Sequence, residues 1–201
     1  MTRPAPSIKG IVLSNLINDV VELQTSGRVP LEVIEARLEK GDLELLETKP
    51  GATDWIAIDH YRRLSELLWD LEGARSPAYL ERRGRASAEL VLATGLYPQL
   101  DFLQNRYDAS DMSSSRASLK LVVTIQGSLI NFGDWQIEQD PEHENRLQIR
   151  ITESTDFPEA LCHAMVGFLN RLAETRETTG QWFFERPTPD VVQFRMTAPI
   201  V

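Results

Sequence analysis

The last quarter of the chain, Arg146 to Thr197, constrains the fold most tightly, because its apolar spacing changes from the strand period to the helical one and back. Leu147, Ile149 and Ile151 alternate with Gln148, Arg150 and Thr152, the pattern of a strand with one buried face. Phe157, Leu161, Met165, Phe168, Leu169 and Leu172 then share one helical face. Asp156 and Glu159 stand ahead of them at capping-box spacing, with Pro158 in the first turn. Trp182 and Phe184, then Val192, Phe194 and Met196, return to alternation around the turn Pro187-Thr188-Pro189-Asp190. Upstream, Trp135 and Ile137 alternate with Asp134, Gln136 and Glu138, and the polar run Asp140 to Asn145 turns that strand into Leu147. A small antiparallel sheet with a helix on one face follows.

That helix has a second face of small residues, Ala160, Ala164 and Gly167, which lets another backbone approach closely. It is expected to pack on two sides, either inside the domain or at a subunit interface, and these three are the candidate interface residues. The helix also carries Cys162, the only cysteine, beside His163. Adjacent helical residues diverge by about 100° around the axis, so the two do not form a catalytic dyad. Cys162 reads as a small core residue. His163 lies opposite the large apolar face, where it serves as a hydrogen-bonded structural residue or reaches a ligand or partner.

The front half is helical. Apolar residues from Ile8 through Leu23 recur mainly at helical spacing, and Pro30 starts a second helix through Ile34, Leu38 and Lys40, with Gly41 as its C-cap. Trp55 to Ile58 leads through Asp59 into a helix holding Tyr61, Leu64, Leu67, Leu68 and Leu71. Ser76-Pro77 opens another, and a shorter one is expected from Pro98 to Leu103. Asp108 to Ser118 reads as a loop. Residues 119–130 stay open: Leu119, Leu121, Val123 and Ile125 alternate as in a strand, while the preceding serines could cap a helix. The organisation expected is a tail at 1–7 and one α+β domain at 8–201. Within it lie a helical part at 8–107, a loop at 108–118 and a mixed part at 119–201.

Two hundred and one residues suffice for one domain with a sizeable core. No run of about 18 apolar residues exists for a membrane-spanning helix. The Pro-containing start, Met1 to Ser7, has no apolar core of a signal peptide. With one cysteine, a reducing cytoplasm is the expected location. A net charge of −9 argues against nucleic acid as the main partner. A basic cluster, Arg62-Arg63 and Arg82-Arg83 with Arg85, is open to two readings, an anion site or acidic partner's footprint, and the preferred one of solvated helix faces offset by Glu66 and Glu81. His60, His143 and His163 have no metal-ligand spacing, and no phosphate loop, dinucleotide fingerprint or nucleophile elbow occurs, so no metal and no catalytic residue is assigned. The tryptophans, Trp55, Trp69, Trp135 and Trp182, read as core, or as the lining of a cavity for a flat or apolar ligand.

Several short pieces carry a family resemblance. They are Ile8-Lys9-Gly10, Trp55 with His60-Tyr61, Tyr79-Leu80-Glu81-Arg82-Arg83-Gly84-Arg85-Ala86, Asn131-Phe132-Gly133, and Phe157 through Gly167. In this order the chain resembles the superfamily of heme-nitric-oxide-binding domains, vinyl-4-reductase-like domains and Bet3-type transport-particle subunits. More narrowly, it is similar to an uncharacterised myxobacterial paralogous family. The resemblance implies helices packed on one face of an antiparallel sheet, used as a sensor, a ligand-binding module or an assembly subunit that is often dimeric. Heme-binding relatives use a Tyr-x-Ser-x-Arg motif and a proximal histidine. Tyr107-Asp108-Ala109-Ser110-Asp111 lacks that spacing and the arginine, and nothing around His60 marks it as proximal, so no cofactor is expected.

The function expected is a non-enzymatic regulatory or small-ligand-sensing domain acting as a dimer, with Trp55, Tyr61, Trp135 and His163 as candidate ligand-binding residues. The alternative is a protein-interaction scaffold or assembly subunit without a ligand. An enzyme would need a cleft bringing His163 or Cys162 to a second titratable group.

Overall fold

The computed structural model describes residues 4–93, 112–174 and 181–199. It divides into two units, Met1–Tyr79 with Leu129–Phe132 and Leu80–Ser128 with Gly133–Val201. The division falls at Tyr79 and around Leu129–Phe132.

In the first unit, β1 (Ser7–Lys9) pairs antiparallel with β2 (Trp55–Ala57), placing Ile8 opposite Ile56. Ile8 bridges on its other side to Ile130, and the Ser7 N–H donates to Asn131 Oδ1 at 2.7 Å. Ser7 is thus already part of the fold, one residue inside the stretch expected to be a tail. Helix α1 (Gly10–Thr25) buries Leu13, Leu16, Ile17, Val20 and Leu23 at helical spacing. It packs against α3 (Lys40–Thr48) and α4 (Ile58–Leu71). Gly10 lets α1 start hard against the chain, since a Cβ there would strike the Gly51 carbonyl.

The second expected helix is shorter than its pattern. α2 covers only Leu31–Glu35, and Lys40-Gly41 open α3 instead of ending α2. The cause is local: the Glu39 N–H donates to Asp42 Oδ2 at 2.8 Å, satisfying a donor at the start of α3.

The second unit contains α5 (Pro77–Ala93) from Leu80 onward and most of α6 (Met112–Leu129). Residues 119–129 are helical. Leu119, Val122, Ile125 and Gln126 are buried at spacings of three and four, and the alternation with Leu121 and Val123 does not correspond to two sheet faces. Part of the expected loop is helical too. Ser118 Oγ donates back to Ser114 O at 2.9 Å, so the serines bond within the helix. Residues 108–111 of that loop and the expected Pro98–Leu103 helix lie outside the described residues.

The sheet has the order β3-β4-β6-β5, all antiparallel: β3 (Asp134–Gln139), β4 (Leu147–Thr152), β6 (Val191–Met196) and β5 (Trp182–Thr188). Register aligns one apolar row across all four strands, Ile137, Ile149, Phe194 and Phe184. Trp135, Ile151 and Val192 form the next row. Helix α7 (Glu159–Glu174) packs on β5. Asn170 fixes it there: its Oδ1 accepts from the Trp182 N–H at 2.5 Å and its Nδ2 donates to Trp182 O at 3.3 Å. These bonds satisfy buried peptide groups that the sheet leaves unpaired.

Candidate functional site

In the second unit, the small-residue face of α7 is covered by the chain's own α5. A Cβ on Gly84 would strike the Ala164 carbonyl, and one on Gly167 would strike the Glu81 carbonyl. The two backbones touch, which requires glycine at both places. Arg85 pairs with Glu174 at 2.6 Å and Arg171 with Glu89 at 3.0 Å along the same seam. Of the two readings open for Ala160, Ala164 and Gly167, the structure takes the one inside the chain. Ala164 and Gly167 meet α5, and Ala160 is buried. At Ala164 and Gly167 a second backbone of the same chain already fills the approach. Arg85 of the basic cluster is likewise consumed in an ion pair.

His163 lies beside Ala160 and Gly167 on α7, toward β5. Its ring meets Phe184 edge-on at 4.8 Å between centroids, and Nε2 lies 3.8 Å from Glu159. Burial pushes the imidazole below its ordinary value, and the carboxylates of Glu159 and Glu81 offset part of that. Cys162 is fully buried. Burial raises its thiol to about 11, although the Arg186 guanidinium 3.9 Å away pulls the other way. Arg186 spends its strongest bond on Phe157 O at 2.5 Å. A protonated, enclosed thiol is a poor nucleophile.

Trp135 is half-buried at the edge strand, its ring edge-on to Phe157 at 5.7 Å. Ile137 beside it is also half-buried, whereas Ile149, Ile151 and Phe194 are sealed. The apolar face of the sheet is therefore closed at its centre and partly open at β3. On the opposite face, Arg195 is held by Asp140 Oδ1 and Oδ2 at 2.9 and 3.0 Å, by Glu142 at 2.7 Å and by Glu185 at 3.3 Å. Burial works to raise the Asp140 carboxyl, but these bonds hold it below its usual range. Register places Arg195 opposite Gln148, so the cluster ties turn, hairpin and sheet together.

The first unit holds the other candidates. Trp55 is 45% exposed, with Lys9 Nζ 4.0 Å from its ring centre. Tyr61 is buried in the core face of α4. Trp69 is buried too, and its indole N–H donates to Ser76 O at 2.9 Å. Trp55 and Tyr61 thus belong to one unit, Trp135 and His163 to the other, and each of the last two sits against its own phenylalanine.

Sequence reasoning missed the densest polar cluster of the first unit. Asp42 has no exposed side-chain surface. It accepts from Arg63 Nε at 2.6 Å and Nη2 at 3.0 Å, and its Oδ1 lies 2.6 Å from His60 Nδ1. Burial acts to raise the carboxyl, but Arg63, the Glu39 N–H and His60 together hold it below its ordinary value. His60 is seated on Gly41, where a Cβ would come 3.1 Å from its Cε1. The available signal was the Glu39–Asp42 spacing at a helix start, with His60 and Arg63 one turn apart on the next helix.

Among the described residues, no group of three or more His, Cys, Asp or Glu side chains is arranged to hold a metal ion. No helix among them is long and apolar enough to cross a membrane.

No protein-family model matches the chain, and no curated protein matches it. Solved structures do. The Fe(II) unliganded H-NOX protein from K. algicida superposes with a TM-score of 0.58 at 16% identity, covering 94% of this chain and 95% of that one. An H-NOX protein from S. oneidensis in the Fe(II)NO ligation state gives 0.51 at 15% identity, covering 94% and 98%. A structure described as probing the function of heme distortion in the H-NOX family gives 0.56 at 12% identity, covering 96% and 97%. At such identities the likeness speaks to architecture, and the helical front half and antiparallel sheet agree with it throughout. The chain has the fold of the H-NOX domains.

Proposed function

We propose that the protein is a non-enzymatic regulatory domain that senses a small, flat or apolar ligand. The observation that carries this reading is the half-open apolar edge of the second unit's sheet, where Trp135 and Ile137 are left half-buried beside sealed neighbours. An aromatic wall of this kind suits a ligand that gains from leaving water. His163 lies against Phe184 on β5, at the opposite edge of the sheet, and is a separate candidate contact. Neighbours of the same fold support the class of role, since they were solved as Fe(II) unliganded and Fe(II)NO-ligated H-NOX proteins. Cys162 and His163 lend no support to catalysis: the thiol is enclosed, and the imidazole is engaged with Phe184 and Glu159.

A thermal-shift survey of flat and apolar small molecules tests this. At least one should raise the melting temperature, and Trp135→Leu or His163→Leu should abolish that shift while the variants stay folded. A shift that survives both substitutions would remove the assigned residues, and no shift from any compound would count against a ligand.

A second reading is favoured by one observation, the exposure of Trp55 and Ile11 on the first unit. These are large apolar side chains suited to a protein partner. A homodimer would use that surface and not Ala164 or Gly167, which α5 covers. Trp55→Glu should leave the fold intact and abolish any self-association seen by light scattering.

A further inference from the structure

The solved neighbours of this fold are described by iron states and by heme. We infer that no histidine of this chain serves as an axial ligand to heme iron. Heme iron is held in proteins by an imidazole, a thiolate, a thioether or a phenolate, and a histidine ligand must present a free ring nitrogen to an apolar slot wide enough for the macrocycle. The chain has three histidines, all within the described residues.

His60 is clamped at Nδ1 by the buried Asp42 carboxylate at 2.6 Å, with Arg63 Nη2 at 3.4 Å from the same nitrogen. A carboxylate on Nδ1 is itself compatible with ligation through Nε2. Gly41 of α3 packs beside the other edge of the ring, where an added Cβ would come 3.1 Å from Cε1 and 3.9 Å from Nε2. The ring also belongs to a charged cluster of Asp42, Arg63 and Glu39, and not to an apolar wall.

His143 stands in the turn between β3 and β4. It is exposed, as are Pro141, Glu142, Glu144 and Asn145 around it, so no slot exists there. His163 is enclosed, but its ring abuts Phe184 and its Nε2 faces Glu159. The remaining strong donor on that helix, Cys162, is sealed in the core beside Arg186 and has no open side toward a ligand.

The inference does not rest on the sensing role proposed above. It says that if this domain senses, its ligand is recognised without a histidine–iron bond. The test uses the full chain produced with excess heme, passed through gel filtration and reduced under argon. Resonance Raman spectroscopy then looks for the iron–histidine stretching band of ferrous heme. Absence of stoichiometric heme after filtration is the expected result. Retained five-coordinate high-spin ferrous heme without the band also supports the inference, because the iron is then held by another residue, whereas a low-spin six-coordinate ferrous spectrum counts against it. Stoichiometric heme with the band overturns it. Since the wild-type protein is measured, a folding defect in a variant cannot imitate any outcome. Absence of any ligand-induced thermal shift in the wild-type protein would fail the sensing proposal while leaving this one untouched.

Discussion

Asp42 Oδ1 and His60 Nδ1 lie 2.6 Å apart between α3 and α4, at a carboxylate with no exposed surface. Arg63 supplies two further donors and the Glu39 N–H a fourth, so every lone-pair direction of the carboxylate is occupied. Removing one partner of such a cluster leaves the others unpaired in a poorly hydrated place. Asp42→Ala is expected to destabilise the protein by about 2–4 kcal/mol in urea unfolding. Arg63→Gln should be milder, because that side chain is partly exposed. An Asp42→Ala loss below about 0.5 kcal/mol would place the cluster among ordinary surface ion pairs.

The same carboxyl sets an acid limit. Its folded pKa is depressed by Arg63, Glu39 and His60 against the opposing effect of burial. The linked stability is therefore complete above the unfolded value of about 3.9 and is lost as pH falls through the lower folded value. Stability measured from pH 6 downward should fall more steeply for the wild type than for Asp42→Asn. Equal slopes would show that other carboxylates dominate the acid limb.

Gly84 and Gly167 make a reciprocal contact, each facing a carbonyl on the opposite helix. Gly84→Ala and Gly167→Ala should each destabilise by about 1–3 kcal/mol, since the α5 and α7 backbones must separate to admit a methyl group. On an isolated helix the same change would stabilise by about 1 kcal/mol. The sign of the measured effect thus reports the crossing directly, and a stabilising result for both would mean the helices do not touch.

His163 carries a pH dependence of its own. Burial lowers its pKa, with Glu159 and Glu81 opposing. A base that is harder to protonate when folded favours the folded state above the unfolded pKa of about 6.5, and that contribution is lost as pH falls toward the folded value. His163→Gln should flatten the stability profile between about pH 7 and pH 5. Titration of the imidazole by NMR should give a midpoint below the ordinary histidine value of about 6.5.

What could be read from the sequence was whatever short-range spacing decides. The hairpin from Trp135 to Ile151 and the pair from Trp182 to Met196 follow from strict alternation, and the structure pairs them in register. Residues 119–129 were ambiguous because Leu119 and Ile125 satisfy both periods, and only burial of Val122 over Leu121 separates them. The Asp42 cluster was only half visible: the Glu39–Asp42 spacing marks a helix start, but the cluster joins residues 18 and 21 positions apart on helices whose approach no local pattern reveals. Nothing in the local spacing of α5 marks Gly84 as the point where the Ala164 carbonyl comes against it. Exposure of Trp55 had no signal either: its segment is apolar, but β2 turns the ring toward Lys9 and solvent.

The central claim is that this H-NOX-like fold holds a small ligand that is not a histidine-bound heme. Native mass spectrometry of the protein purified from its own cells tests it most directly. The account predicts a species heavier than the bare chain by one small molecule, with that added mass reduced in Trp135→Leu. The bare polypeptide mass alone, or an added heme whose retention depends on His60, His143 or His163, would contradict it.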